Sequence, residues 1–225
     1  MSCCGNMSND LSQKFLRKWQ VLAANLGLDD SKLKEIGDYL HAQYSGVDRH
    51  YHNVNHIVSM LDGFESLKTK FEQPAAAELA IFFHDVIYDS ARSDNEEKSA
   101  IKMKELLSGK VDGEILDAAA LSIEATKKHA ATTNQDTNLL IDLDMAILGQ
   151  PWVVYERYAK GVMQEYLPVY GEEEYRQGRQ KLFLEPTIAH GDIFLTDNFK
   201  YLNQPAIRNM QREVEILKSG KSFVG

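Results

Sequence analysis

The apolar residues of this chain recur at intervals of three and four residues along nearly its whole length. The pattern is clear in Phe15, Trp19, Leu22 and Leu26, and it returns in successive segments as far as Pro205 to Leu217. Such spacing places apolar side chains on one face of a helix. No segment alternates apolar and polar residues between hairpin turns, as a sheet would require. The sequence therefore predicts an all-α fold, an irregular helical bundle.

The chain is long enough for one sizeable core and has no linker that would divide it. Its 225 residues include 5 scattered prolines, and a chain of this size buries roughly 70% of its unfolded surface. We expect a single helical domain over residues 11–225, preceded by a disordered polar tail over residues 1–10. The least helical stretch, Thr187 to Thr196, leaves room for a short strand.

Charge and cysteine content limit the functional classes. The 33 acidic residues outnumber the 25 basic ones and give a formal net charge of −8, whereas proteins that bind nucleic acid polymers normally present a basic face. No apolar run reaches the roughly 20 residues that cross a bilayer. The 2 cysteines, Cys3 and Cys4, build no disulfide framework, and no secretory signal pattern precedes them. We expect a cytoplasmic protein that binds neither nucleic acid polymers nor membranes.

Two apolar segments are interrupted by groups that ionise. His84 and Asp85 stand inside one segment, and Asp142 and Asp144 stand inside another. Burying such groups without a partner is costly, and a metal ion satisfies an imidazole and a carboxylate together. His56 supplies a second imidazole from an earlier helical segment. The pattern predicts a divalent-cation site formed by His56, His84, Asp85 and one of the two later aspartates.

The ordered elements His56, then His84-Asp85, then Asp144, on a helical background, resemble the HD-domain superfamily of predicted metal-dependent phosphohydrolases. The resemblance to one poorly characterised branch covers most of the chain, through segments 49–57, 83–89, 94–100, 178–179 and 206–209. It implies an HD-type helical bundle with one divalent metal ion, for which Mn, Fe, Co, Ni, Zn and Mg are candidates. It also implies hydrolysis of a small phosphorylated molecule, expected to be a nucleotide, by attack of metal-bound water on phosphorus.

The fourth ligand has two candidates, because Asp142 and Asp144 are two residues apart and point in different directions on a helix. In the superfamily this ligand follows an apolar residue and precedes the helix that continues the core. The resemblance therefore favours Asp144. Asp142 would then stand behind the ligands and help to orient them, as would Asp89, or it would be a carboxylate near a helix N-terminus that the helix dipole favours.

Further residues near these elements suit acid–base chemistry or phosphate binding. His52 precedes His56 by four residues, the spacing of one helix face. His52 and His129 are candidates for contacting or protonating the phosphate. Glu96 is a candidate for orienting a water molecule, although its simplest interpretation is a favourable charge in a first helical turn. Cations stabilise a transferring phosphoryl group, and the candidates are Arg49, Lys127 and Lys128.

Departures from better-known members of the superfamily keep two alternatives open. Members that hydrolyse guanosine polyphosphates have a Glu-Asp pair at positions matching Tyr88 and Asp89. The missing glutamate favours a metal- or nucleotide-binding module without turnover. An iron oxygenase on the same scaffold needs more histidines than His129 between the second and last elements. Helical surfaces such as Trp152 to Tyr166 allow a homodimer.

Overall fold

A computed structural model describes residues 3–220, with side chains from residue 9 onward. The α-helices are α1 (Cys3–Asn25), α2 (Asp30–Tyr44), α3 (Val54–Leu67), α4 (Pro74–Phe83), α5 (Asn95–Leu107), α6 (Gly113–Thr126), α7 (Gln135–Met145), α8 (Trp152–Tyr170), α9 (Glu172–Gly178), α10 (Glu185–His190) and α11 (Asn203–Ser219). Turns of 3₁₀ helix cover Lys68–Lys70, Ala146–Gly149 and Lys200–Leu202, and a π-helical segment covers Arg179–Leu184. Residues 3–220 contain no strand, which confirms the all-α prediction. No helix within them is long and apolar enough to span a bilayer.

Two segments for which the sequence did not predict a helix, residues 1–10 and 187–196, are helical in part. We expected a disordered tail over residues 1–10, whereas α1 begins at Cys3; residues 1–2 lie outside the described part. Each residue added to an existing helix brings one more hydrogen bond, so a helix anchored in the core by Phe15 and Trp19 extends readily. In the stretch from Thr187 to Thr196, α10 continues to His190 and a loop follows it in place of a strand.

Helix α4 is buried because its sequence is apolar on every side except at Glu78. Residues 76–83 are all buried, as expected of a helix without a polar face. Helix α1 covers α4 with Phe15 and Trp19, whose rings meet the ring of Phe82 edge-on. Because α4 ends inside the core, the residue that follows it, His84, is buried as well.

The segment that follows α4 is held in place by two side chains of α5. The Asn95 side chain accepts a hydrogen bond from the Asp89 amide at 3.1 Å and donates one to the Asp89 carbonyl at 2.9 Å. The Ser99 hydroxyl bonds the amide and the carbonyl of Ile87 at 3.1 and 3.2 Å. These bonds satisfy the backbone of a part-buried loop and fix its path after Asp85.

Local features also position the helices on either side of α4. The Asn53 side chain caps α3 by accepting hydrogen bonds from the amides of Asn55 and His56, which places His56 in the first turn. Gly63 lets α3 approach α7, because a Cβ atom at this position would lie 2.7 Å from Leu143 Cδ2. The two helices can therefore present side chains to the same point in the core.

Candidate metal centre

Helices α3, α4 and α7 bring two imidazoles and two carboxylates together. His56 Nε2 lies 3.2 Å from His84 Nε2 and 3.2 Å from Asp144 Oδ1. Asp85 Oδ2 lies 3.0 Å from His84 Nε2 and 3.9 Å from His56 Nε2. Atoms bound about 2.1 Å from one metal ion stand about 3.0 to 3.4 Å apart at right-angled or tetrahedral positions. His56, His84 and Asp144 form a possible buried metal site, with ligand atoms within 4.8 Å of one another, and Asp85 lies beside them.

The hydrogen bonds of His84 leave its Nε2 atom available to a metal ion. Its Nδ1 atom lies 3.0 Å from the Ile81 carbonyl oxygen, so Nδ1 carries the proton that this acceptor requires. Such a bond fixes the tautomer of a metal-binding histidine. The Nε2 atoms of His84 and His56 face each other at 3.2 Å, and without a cation one of them must carry a proton to avoid lone-pair repulsion. The residues present therefore fit a divalent cation.

Burial and neighbouring charges set the protonation of the four groups. Burial lowers the pKa of His56 and favours its neutral form. Burial also opposes protonation of His84, but the Asp85 carboxylate outweighs it and raises the pKa of His84 to about 9. Burial alone would raise the pKa of Asp85 and Asp144, yet the neighbouring imidazoles hold both well below their usual range. The carboxylates are thus ionised at neutral pH and suited to a cation.

The two aspartates of α7 have different partners. Asp144 Oδ1 faces the histidines, and its Oδ2 lies 3.0 Å from His129 Nε2. Asp142 accepts hydrogen bonds from the Leu195 amide at 2.7 Å, the Thr196 amide at 2.8 Å and the Thr196 hydroxyl at 2.6 Å. Asp144 therefore belongs to the cluster, whereas Asp142 ties down the loop that precedes α11.

His52 is held by Glu165, a residue of α8 that the sequence did not single out. His52 Nδ1 lies 2.7 Å from Glu165 Oε2, and the amides of Tyr51 and His52 donate to Oε1 at 2.6 and 3.0 Å. The Tyr88 hydroxyl donates to Oε2 at 3.2 Å, and its ring stacks on the imidazole. With Nδ1 bound to a carboxylate, Nε2 is the nitrogen left for other contacts. Burial opposes protonation of His52, but Asp85 and Glu165 together raise its pKa.

The shared helix face predicted for His52 and His56 is wrong. Asn53 caps α3, which begins at Val54, so His52 precedes the helix. The two imidazole rings nevertheless lie 5.9 Å apart. The approach of this segment to α8 depends on Gly161, where a Cβ atom would lie 3.0 to 3.2 Å from the segment. The signal for Glu165 was a carboxylate at helical spacing from the buried Tyr158 and Val162.

Arg49, a predicted phosphate ligand, binds backbone carbonyls. Its Nη1 atom donates to the carbonyls of His52 at 3.0 Å and Asp85 at 2.7 Å, and Nη2 donates to that of Val86 at 3.2 Å. Its guanidinium also lies over the rings of two tyrosines. Arg49 thus joins the segment that carries His52 to the segment that carries Asp85.

The remaining predicted residues lie around the cluster. Lys127 donates to the Ser93 carbonyl, and both Lys127 and Lys128 line a surface depression that none of the four proposed ligands lines. Glu96 is half-buried in the first turn of α5. Asp89 is exposed, and its carboxylate accepts a hydrogen bond from the Ala91 amide at 2.9 Å, so its contacts are within its own loop.

A cleft of about 500 Å³ lies beside the centre, and His56 and Asp144 are among the residues that line it.

No family model matches this chain, and no curated protein matches it either. The chemistry of the site therefore has to be inferred from its own geometry. That geometry can hold a divalent cation on two ionised carboxylates and two imidazoles, of which His84 would release a proton on binding, with a histidine–glutamate pair nearby.

Proposed function

We propose that this protein is a metal-dependent phosphohydrolase with His56, His84, Asp85 and Asp144 as its metal ligands. The convergence of two imidazole nitrogens and two carboxylate oxygens at one buried point carries the proposal. A divalent cation bound there neutralises phosphoryl oxygens and acidifies water. The substrate is a small phosphorylated molecule, and a nucleotide is the class that the resemblance to the HD-domain superfamily favours.

Two further histidines assist in this proposal, His52 as the general acid and His129 as a residue that positions Asp144. His52 is 20% exposed in its side chain, and its raised pKa favours a protonated fraction near neutral pH, as a general acid requires. Glu165 fixes the orientation of the His52 ring, so that Nε2 donates to a phosphate or leaving oxygen. His129 holds Asp144 through Oδ2 and keeps Oδ1 turned toward His56.

The donor set accepts several metals. Two imidazoles and two carboxylates suit Mn, Fe, Co, Ni, Zn and Mg, and the order of affinity among the transition metals is largely independent of the protein. The experiment must therefore compare metals. We would strip the purified protein with a chelator, add one metal at a time, and measure phosphate release from a panel of nucleotides and phosphorylated metabolites.

The matched variants are His84→Ala, Asp85→Asn and the control His190→Ala, which alters an exposed histidine of α10. Metal-dependent release that is lost in the first two variants and kept in the control is the expected result. Full activity in His84→Ala or Asp85→Asn would contradict the ligand assignment. Bound metal without release from any compound would instead favour a metal-binding module without turnover.

A further inference from the structure

We propose that the cleft beside the metal centre binds the uncharged nucleoside part of a substrate that carries a single phosphate. The inference rests on the proposed function, because the metal centre is where the phosphate would bind. It adds the substrate class: nucleoside monophosphates, in preference to diphosphates and triphosphates. Three features of the molecule support it: the walls of the cleft, the charges around the centre and the size of the space.

The walls of the cleft combine apolar surface with neutral polar groups. Ile147, Val154 and Phe199 contribute apolar or aromatic surface, and Asn55 and Asn198 contribute side-chain amides. No hydrogen-bond partner for either amide is found among residues 9–220, so both can bind the edge of a base or the hydroxyls of a sugar. Pockets for small ligands have this make-up, with apolar walls and a few polar groups that fix orientation.

The cleft lacks the cations that a chain of phosphates requires. None of its lining residues is lysine or arginine, all of them lying in the described part of the chain. Asp62 contributes a negative charge to the wall, which Lys14 and Lys18 neutralise at 2.6 and 3.4 Å. Enzymes that act on polyphosphates surround the phosphate oxygens with cations, so a second or third phosphate lying in this cleft would be left unpaired.

The centre offers little excess positive charge to compensate. The carboxylates of Asp85 and Asp144 offset the two charges of a divalent cation, and the imidazole of His52 is already bonded to the Glu165 carboxylate. Arg49 could have supplied a further positive charge, but its guanidinium is bonded to three carbonyl oxygens. The charges therefore match one phosphate group better than three.

The volume also suits a nucleoside. Ligand sites enclose roughly 300 to 1,000 Å³, and the cleft measures about 500 Å³. Since His56 and Asp144 line it, a nucleoside seated there places its phosphate at the metal ligands. Tyr201 lines the cleft and is 71% exposed, so its aromatic ring and the apolar side chains provide surface on which a base can lie.

Binding to the metal-free protein tests the cleft independently of turnover. After chelation, calorimetric titrations would use the four ribonucleosides, their deoxy counterparts, their triphosphates and inorganic phosphate. We expect at least one nucleoside to bind, with neither its triphosphate nor inorganic phosphate binding more tightly. With manganese restored, the monophosphate of that nucleoside should have a kcat/KM about ten-fold or more above its triphosphate.

Two neighbouring valines of α8 give matched variants. Val154 lines the cleft and is 40% exposed, whereas Val153 is 59% exposed and does not line it. Both positions tolerate a lysine because both reach solvent. Val154→Lys should weaken nucleoside binding and raise the activity on triphosphate relative to monophosphate. Val153→Lys should change neither quantity.

The outcomes separate this inference from the proposed function. Equal or faster cleavage of triphosphates would overturn the inference while leaving the phosphohydrolase intact. No nucleoside binding to the metal-free protein, or binding indifferent to Val154→Lys, would also overturn it. Nucleoside binding that Val154→Lys weakens, without phosphate release under any metal, would contradict the phosphohydrolase and still support the nucleoside cleft.

Discussion

Helix α8 contributes to two buried polar clusters that are built in opposite ways. In the first, Arg179 donates to Glu213 at 2.9 Å and to the Tyr158 hydroxyl at 2.9 Å, and the Tyr155 hydroxyl donates to the same glutamate. Each charge there faces its opposite. In the second, the candidate metal centre, two carboxylates converge with two imidazoles, and α8 contributes Glu165 to its edge.

The difference distinguishes a complete ion pair from a cluster that can still take a cation. The ion pair of Arg179 and Glu213 is complete, since every charge has a partner within the chain. The four proposed ligands are less complete: His84, with a pKa of about 9, pairs with Asp85, whereas burial favours the neutral form of His56, which faces Asp144. The cluster can therefore still take a cation. Tyr51 lies between the clusters, with its ring 4.6 Å from that of Tyr158 and 4.8 Å from that of His56. Substitutions in either cluster should therefore have different consequences.

The largest effect is expected for metal binding in Asp85→Asn. The amide keeps the shape of the side chain but removes a charge that a divalent cation needs, so the affinity for manganese should fall by about 100-fold or more. A bound metal stabilises the native state by about 2.7 kcal/mol at 100 times its Kd. Thermal unfolding with and without manganese would therefore show a clear rise in Tm for the native protein and a much smaller one for the variant.

The control for this prediction is Asp89→Asn, which alters an exposed carboxylate of the same loop. It should keep the response to manganese. If Asp85→Asn bound manganese as tightly as the native protein, the Asp85 carboxylate would not be needed to hold a cation. The cluster would then not differ from the ion pair of Arg179 and Glu213 in the way described.

The second prediction concerns the ion pair, where we expect a loss of stability without a loss of manganese affinity. Glu213→Gln leaves the buried Arg179 without its counter-charge, and breaking a buried pair in this way costs about 3 to 5 kcal/mol. The free energy of unfolding, measured with urea, should fall by that amount. Manganese affinity of the folded variant should be unchanged, because Glu213 bonds none of the proposed ligands.

Glu215→Gln, an exposed position on the same helix, is the matched control and should be neutral within about 0.5 kcal/mol. A large loss of manganese affinity in Glu213→Gln would show that the two clusters act as one unit through Tyr51. The two predictions together thus test whether stability and metal binding separate.

The same contrast explains what the sequence could predict. The helices follow from apolar periodicity, which is a local signal, and His84 and Asp85 stand out because they separate the buried end of α4 from the apolar segment after it. Arg179 and Glu213 lie 34 residues apart, and His52 and Glu165 lie 113 apart, without any shared motif. Such pairs depend on how helices pack, which periodicity does not specify.

The polar residues that bind backbone were the hardest to interpret. Arg49 and Asp142 were both assigned places around the site, yet Arg49 donates to three carbonyls and Asp142 accepts from two amides and a hydroxyl. Backbone carbonyls and amides are present at every residue, so they leave no trace in the sequence. A charged side chain that serves them therefore looks the same as one that serves a ligand.

The smallest effect is expected at Glu78, a buried carboxylate of α4 that belongs neither to a close ion pair nor to the candidate metal centre. Its nearest cation, Lys68 Nζ, lies 3.7 Å away on a side chain that is 40% exposed, and burial raises the pKa of Glu78. A raised pKa means that folding disfavours the ionised form, so stability falls as the pH rises from the ordinary value of about 4.3 to the raised one. Glu78→Gln removes this penalty and should stabilise the protein at pH 7 by less than about 1 kcal/mol.

The gain at Glu78 should vanish below about pH 4, where the native glutamic acid is protonated in both states. Urea unfolding of the native protein and the variant at both pH values measures it. Glu65→Gln, which alters an exposed residue 3.8 Å from the same lysine, should bring no gain. A loss of stability in Glu78→Gln at pH 7 would mean that the distant Lys68 compensates a buried charge as fully as Arg179 does. Close pairing would then not be what distinguishes a complete cluster from an incomplete one.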